Sequence, residues 1–277
     1  MIISERQAER LSVKSRTQWS PYLEKCCLLL SSNESYQRAE EDIKVLTGIK
    51  VSHGTQQRIV HRQTFQLPQL EQETREISID GGKVRLRTPQ GKACEWKDYK
   101  AVNLHQQSVE AFFQENKNLV DWVNQQPLAN PVTCLGDGHC GVWNIFAQIG
   151  ADDQRREILD WYHLIENLGK VGGSHQRLNL VESLLWKGDV DAAIQQFSDW
   201  KHNNVDKFIN YLNQHRTRII NYGYFQAEGF SIGSGAIEST IKQIGRRVKI
   251  SGAQWKTENV SQVLRHRCAY LNGSFSS

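Results

Sequence analysis

The stretch Glu76-Ile77-Ser78-Ile79-Asp80-Gly81-Gly82-Lys83-Val84-Arg85-Leu86-Arg87-Thr88 alternates apolar and polar residues on both sides of a Gly-Gly pair. Period-2 alternation is the pattern of a strand with one buried face, and glycines between two such runs predict a hairpin turn. The spacing therefore predicts strands over 76–80 and 83–88, and a further strand over 95–105. Downstream, Val109, Phe112, Phe113, Leu119, Val120 and Trp122 recur mostly at helical intervals and predict a helix over about 107–125. The run from Val132 to Leu135 predicts a short buried strand that ends at Gly136-Asp137-Gly138. A helix is expected over 143–149, and a last strand over 156–159 that ends at Asp160. The order strand, strand, strand, helix, strand, helix, strand is that of an α/β fold.

Outward from this core the pattern is helical. Residues 161–228 predict four helices: 161–168, from Ser174 to about 187, from Gly188-Asp189 to about 202, and about 204–222. A loop over 229–235, rich in Gly and Ser, precedes a helix from about Ala236. Upstream, Ser20-Pro21 reads as an N-cap followed by proline at the first helical position. A second helix is expected over 35–46, and Ser52 caps a third over 53–63. Two helices joined by a tight turn containing Gly48 have the outline of a helix-turn-helix. In that reading Thr55, Gln56, Gln57 and Arg58 face DNA. Any αα-hairpin shares the outline. Residues 66–75, polar and aperiodic, form the linker, so residues 1–70 and 71–277 are the expected domains.

Composition narrows the classes. No run of apolar residues is long enough to span a bilayer, and residues 1–16 lack the apolar core of a secretory signal. The six cysteines contain no C-x-x-C pair and read as reduced thiols of a cytoplasmic protein, not a disulfide framework or a zinc site. The net charge is only +4, but residues 239–277 carry seven Lys and Arg against Glu258 alone. That local excess reads either as a phosphate-facing surface or as a solvated basic tail.

Asp80, Asp137 and Glu238 each stand at an expected strand or helix end, separated by 57 and then 101 residues. Taken singly, each suits an ordinary turn or helix start. Together, at the carboxyl ends of strands and at one helix start, they suit hard-oxygen ligation of Mg²⁺. Asp160 and His163 are three apart and share a helix face, either as a helix cap with a surface histidine or as an auxiliary pair. Trp143, Trp161 and Trp255 are aromatic platforms on which a base could stack, with core packing favoured for Trp143.

The blocks ISIDGGKVRLR (77–87) with EWKDYKAV (95–102), CLGDGHCGVWNI (134–145), REILDWYHLIENL (156–168) and GFSIGSGAIESTIKQIGRRVKISGAQW (229–255) resemble bacterial insertion-sequence transposases of the DDE class. The likeness is to the ISKra-type group and, more distantly, to Mutator-like transposases, over about residues 35–272. Such transposases often carry more sequence ahead of the helix-turn-helix. The resemblance implies an RNase H-like mixed-sheet core with a helical insertion over about 164–228. It implies that Asp80, Asp137 and Glu238 bind two Mg²⁺ or Mn²⁺ ions, and that Asp160 and His163 form an auxiliary D-x-x-H motif. Lys249 and Trp255 match the stretch that follows the last acid, and Arg246, Arg247 and Lys249 would line the DNA path. The expected partners are the element's terminal inverted repeats and target double-stranded DNA, bound by a homodimer or larger assembly at the bacterial nucleoid, with no membrane. Two other readings stay open: a nuclease that cuts without joining, and a DNA-binding protein of transposase origin without catalysis. A structural helical protein would leave the strand order and the basic C-terminal segment without a role.

Overall fold

The structure, a computed structural model, describes Gln7, Arg10 and residues 19–275. From residue 19 onward three helices come first: α1 (Pro21–Ser31), α2 (Tyr36–Thr47) and α3 (His53–Arg62). Each starts on a serine whose side chain accepts a main-chain N–H: Ser20 from Leu23, Ser35 from Arg38 and Ser52 from Thr55. Helix α2 stops at Gly48, whose φ of 72° lies in the left-handed region that closes helices. The three helices close over their own core, which includes Cys27, Ile43, Val51, Ile59 and Val60.

The rest is built on one five-stranded sheet. Its strands are β1 (Thr74–Leu86), β2 (Glu95–Leu104), β3 (Ser108–Phe113), β4 (Leu128–Gly136) and β5 (Arg155–Leu159), in the order β3-β2-β1-β4-β5. Strands β1, β2 and β3 are antiparallel neighbours, whereas β4 lies parallel to β1 and β5 parallel to β4. This is an α/β fold with a mixed sheet.

The expected hairpin at Gly81-Gly82 does not form. Strand β1 runs straight through, with Gly81 opposite Lys100 and Gly82 opposite Tyr99 of β2. A Cβ on Gly82 would stand 2.2 Å from Tyr99 Cζ, so this glycine makes room for a buried ring instead of a turn. The expected helix over 107–125 also divides. Its first part is β3, paired with β2, and only α4 (Asn116–Asn124) is helical. The predicted order of three strands, helix, strand, helix, strand is nonetheless observed, because β3 takes the place of the lost half of the hairpin.

Alternation along β1 sorts the layers. Ile77 and Ile79 point to a core shared with α4, α5 (Cys140–Phe146) and the helices after β5. Val84 and Leu86 point to the opposite face, against α11 (Gly235–Val248) and α12 (Thr257–Leu271). Between β5 and α11 lie α6 (Trp161–Gly169), α7 (His175–Trp186), α8 (Val190–Gln195), α9 (Asn203–Gln214) and α10 (Tyr222–Ala227). The third of these helices ends well before residue 202, and the expected fourth is broken after Gln214 by a short 3₁₀ turn, Arg216–Arg218. The linker is tied down on α4: Trp122 Nε1 donates to Pro68 O at 2.9 Å, and Leu70 N–H to Gln126 Oε1 at 3.0 Å. Among the described residues no helix is long and apolar enough to cross a membrane.

Candidate active site

Register brings three aspartates to one row. The last β1–β4 pair is Ser78 with Leu135, so Asp80 and Asp137 each lie two residues further along neighbouring parallel strands. The last β4–β5 pair is Gly136 with Leu159, which puts Asp160 level with Asp137. Asp80 shares the parity of Ser78 and Val84 and so faces the layer that holds α11. Glu238 is the fourth residue of α11 and half-buried. Asn103 of β2 donates to Thr240 Oγ1 at 3.0 Å and fixes that turn of α11 over the sheet.

Asp160 joins the elements. It is fully buried. Its N–H donates to Gly136 O at 2.9 Å, and its Oδ1 accepts the His163 N–H at 2.8 Å as the N-cap of α6. Its Oδ2 accepts the Ser234 N–H at the start of α11. One carboxylate thus sets the β4 end, the first turn of α6 and the entry to α11 that carries Glu238. The Trp161 N–H, which donates to Ile232 O at 2.9 Å, repeats the tie. Burial pushes the Asp160 carboxyl up, but hydrogen bonds from His163 and Ser234 outweigh it and hold the group below its usual range.

His163 Nδ1 stands 3.3 Å from Asp160 Oδ1. That contact raises the imidazole to about 9 against the cost of partial burial, with further help from the charges of Asp160, Asp137 and Glu238. Asp80 is shifted upward, first by burial and then by the neighbouring Asp137 carboxylate; the Gly81 N–H, Lys100 and His163 work against the shift. Asp80, Asp137, His163 and Glu238 therefore lie in one electrostatic neighbourhood. Lys242 Nζ lies 3.5 Å from Glu238 Oε2.

The carboxylates have the hard oxygens that Mg²⁺ prefers. Among the described residues, however, no three His, Cys, Asp or Glu side chains converge as a metal-holding group. Two local bonds turn oxygens aside: Asp80 Oδ1 accepts its neighbour's N–H, from Gly81, and Asp137 Oδ1 accepts from His139 N–H at 2.9 Å. The donor chemistry and the shared row fit a divalent ion, and rotation of these two side chains is what a shared ion would require.

Two residues of the site carried no sequence signal of their own. Tyr211 of α9 closes on Gly138, where a Cβ would meet its ring at 2.3 Å. Its hydroxyl is buried and without a hydrogen-bond partner, and burial, then the charges of Asp137 and Asp160, push it well up. The glycine after Asp137 was the trace of this close approach. Lys100 enters from β2 opposite Gly81.

The expected DNA-facing residues divide. Gln57 and Arg58 are exposed on α3, and Thr55 is half-buried, with its Oγ1 accepting from Arg58 Nη2 at 3.0 Å. Gln56 does not face outward. It is fully buried, accepts from Ser31 Oγ at 3.0 Å and donates to Val51 O at 3.1 Å, so it holds the three helices together. Arg247 is likewise no surface group: it is 1% exposed and donates from Nε to Ser31 O at 2.6 Å. Arg246 and Lys249 are exposed, and Trp255 is half-buried. Of the seven cations in 239–277, Arg267 is also buried and Arg265 half-buried, which leaves Lys242, Arg246, Lys249 and Lys256 exposed, Lys242 beside Glu238 and Lys256 3.8 Å from Glu258. Trp143 and Trp161 are both core; Trp161 packs between the rings of Trp186 and Tyr222 at 4.8 and 4.9 Å. All six cysteines are free thiols.

No protein-family model matches the chain, and no curated protein is similar enough to count as a match.

Proposed function

We propose that this chain is a DNA transposase of the DDE class with an RNase H-like core. The observation that carries the reading is the row of Asp80, Asp137 and Asp160 on adjacent parallel strands, with Glu238 brought over it by a helix whose start is tied to Asp160. The fold part is supported by the sheet order β3-β2-β1-β4-β5, with three antiparallel strands followed by two parallel ones, and by a helical block between β5 and α11. The sequence blocks that resemble insertion-sequence transposases include all four of these acids.

In this reading Asp80, Asp137 and Glu238 would hold two Mg²⁺ or Mn²⁺ ions, which supply charge stabilisation for the attacking and leaving oxygens. Water attacks the scissile phosphate and releases a 3′-hydroxyl at the element end. That hydroxyl then attacks a phosphodiester of target DNA, forms the new bond and displaces the target's own 3′-oxygen. No protein nucleophile is required. Asp160 positions the Glu238 helix, and His163 presents a cation beside the carboxylates, where a phosphate oxygen would sit. Exposed Gln57, Arg58, Arg246 and Lys249 would contact the duplex. Pairing two element ends calls for a homodimer or larger assembly on DNA, and the protein would work at the bacterial nucleoid.

The test is cleavage and strand transfer in vitro with the element's own terminal repeats and Mg²⁺ or Mn²⁺. Wild type should give joined products. Asp80→Asn, Asp137→Asn and Glu238→Gln should each lose them by roughly 10²-fold or more while still binding the repeats. Cut but unjoined products would replace this reading with a nuclease. Binding without cutting would replace it with a DNA-binding protein of the same descent.

A further inference from the structure

A cavity of about 360 Å³ opens where the N-terminal helices meet the far end of β1 and the turn between α11 and α12. That volume lies in the range of small-ligand sites, about 300–1,000 Å³. Its walls include Tyr36, Gln57, Arg87, Arg247, Trp255 and Lys256. Three of these are cations, and none of the residues that line it is acidic. Two are aromatic, and the Arg247 guanidinium lies between them, 5.0 Å from the Tyr36 ring centre and 4.9 Å from that of Trp255.

Arg247 is an unusual wall. It is 1% exposed, yet its Nη2 has no hydrogen-bond partner among the described residues. A buried charged donor left open costs stability, which makes it a reason to look for a bound anion. Of the acids near it, Glu34 is pushed up to about 7, first by burial and then by Asp42, and so carries only part of a charge at neutral pH. A second anion-seeking feature adjoins. Helix α12, 15 residues long, follows Lys256, an N-cap without a side-chain bond, so its start carries partial positive charge beside the cavity; Glu258 of its first turn faces Lys256 Nζ at 3.8 Å. The Arg87 N–H donates to Trp255 O at 2.8 Å, and the Trp255 N–H donates to Arg85 O at 3.0 Å, which holds a cation beside an indole. Trp255 Nε1 donates to Val248 O at 2.9 Å and keeps that indole in place.

A flat ring platform beside a cationic, uncapped helix start matches one chemical unit, a base with its phosphate. We propose that this cavity holds a single unpaired nucleotide of a DNA strand, its base stacked on Trp255 and its phosphate on Arg87, Lys256 and the start of α12. The proposal builds on the DNA reading above but not on catalysis. Arg247 follows Glu238 by nine residues of α11, about 13.5 Å along the axis at 1.5 Å per residue. Gln57 of α3 borders the same cavity, so a strand leaving it would pass directly to the exposed face of that helix.

The probe is 2-aminopurine deoxynucleoside 5′-monophosphate, titrated into the full chain and followed by its fluorescence. Binding at about 1 mM or tighter, with the emission quenched by stacking, is expected. The nucleoside without phosphate, and inorganic phosphate alone, should each compete at least tenfold more weakly. Arg87→Gln and Lys256→Gln alter exposed side chains outside the core and should each weaken binding at least threefold. Trp255→Leu should abolish the quenching, with circular dichroism as the check on its fold. Failure of the wild type to bind in this range, or unchanged affinity in both Gln variants, overturns the proposal. A protein that binds the nucleotide but neither cuts nor joins keeps this site and loses the transposase reading. One that joins DNA without binding the nucleotide does the reverse.

Discussion

At the scale of single residues, Asp160 ties the elements of the candidate site together, and Gly82 lets β1 run on past Asp80 beneath the Tyr99 ring. Asp160 accepts hydrogen bonds from two helix starts and pairs with His163. His163 is raised from 6.5 to about 9 in the folded chain, chiefly by its contact with Asp160. A histidine raised on folding stabilises fully below its unfolded value and loses that contribution as pH rises through its folded value. Wild type should therefore lose stability between about pH 6.5 and 9, as read from urea midpoints. His163→Gln should be less stable at neutral pH and lose clearly less across that window, the remaining fall coming from groups such as Glu34 and Glu110, raised to about 7 and about 8; an unchanged slope would remove the pair from the account. Asp160→Ala should cost more, because it strips a helix cap, worth about 0.5–2 kcal/mol, and also leaves the Ser234 N–H buried without an acceptor. Gly82→Ala drives a methyl into the Tyr99 ring, and overpacking of this kind costs about 1–3 kcal/mol. Thermal unfolding of Gly82→Ala measures it, and a wild-type midpoint would mean that Tyr99 moves aside freely.

At the scale of elements, the serine caps and the apolar alternation made most helices and strands legible. Ser20 and Ser52 marked two helix starts, and the turn at Gly48 a helix end, because caps are local chemistry; the Ser35 cap emerged only in the structure. The errors came where tertiary contacts override local pattern. Gly81-Gly82 has turn chemistry, but β2 pairs along the whole of β1 and Tyr99 fills the space beside Gly82. Val109, Phe112 and Phe113 have helical spacing up to Trp122, yet 108–113 pairs with β2, and Gln114, at φ 57°, breaks the run before α4. Of the candidate site, Asp137, Asp160 and Glu238 could be picked out from their places at strand and helix ends, whereas Asp80, expected to end a strand, lies midway along β1, which runs on to Leu86. Tyr211 and Lys100 could not, since α9 and β2 reach the row only through the fold. Burial of Gln56 and Arg247 was equally hidden, because polar residues carry no sign in the sequence that they pair inside. Ser35→Ala tests the caps: it removes the acceptor for the Arg38 N–H and should destabilise by about 1 kcal/mol in a denaturant melt. A change under a few tenths would show that α2 is held by packing alone.

At the scale of the whole molecule, the N-terminal helices are fastened to the sheet domain mainly by polar bonds to main-chain oxygens. Arg267 Nη1 donates to Ser32 O at 3.1 Å, Gln262 Nε2 to Val60 O at 2.7 Å, and Arg247 Nε to Ser31 O at 2.6 Å. His266 adds Nε2 to Leu28 O at 2.9 Å while stacking on Phe65 at 5.0 Å. Such a joint is directional, so it fixes α3 and the cavity above relative to the carboxylates, but it is exposed to acid. His266 is driven from 6.5 down to about 3, first by burial and then by Arg247, with Arg267 and His61 adding to the effect and the Leu28 carbonyl opposing it. Between those values the unfolded chain binds a proton that the folded chain refuses, so stability falls as pH falls below about 6.5. Full linkage of this one buried group would contribute about 1.4 kcal/mol for each pH unit. Denaturation of wild type and His266→Gln at about pH 7 and about pH 5 isolates it, since every other titrating group is common to both chains. The variant should be weaker at neutral pH and should lose clearly less stability on acidification. Amide exchange should show α1 to α3 opening before the sheet as wild type is acidified, because the joint that fails belongs to them. Equal losses in the two chains would place acid sensitivity elsewhere and leave the joint a passive contact.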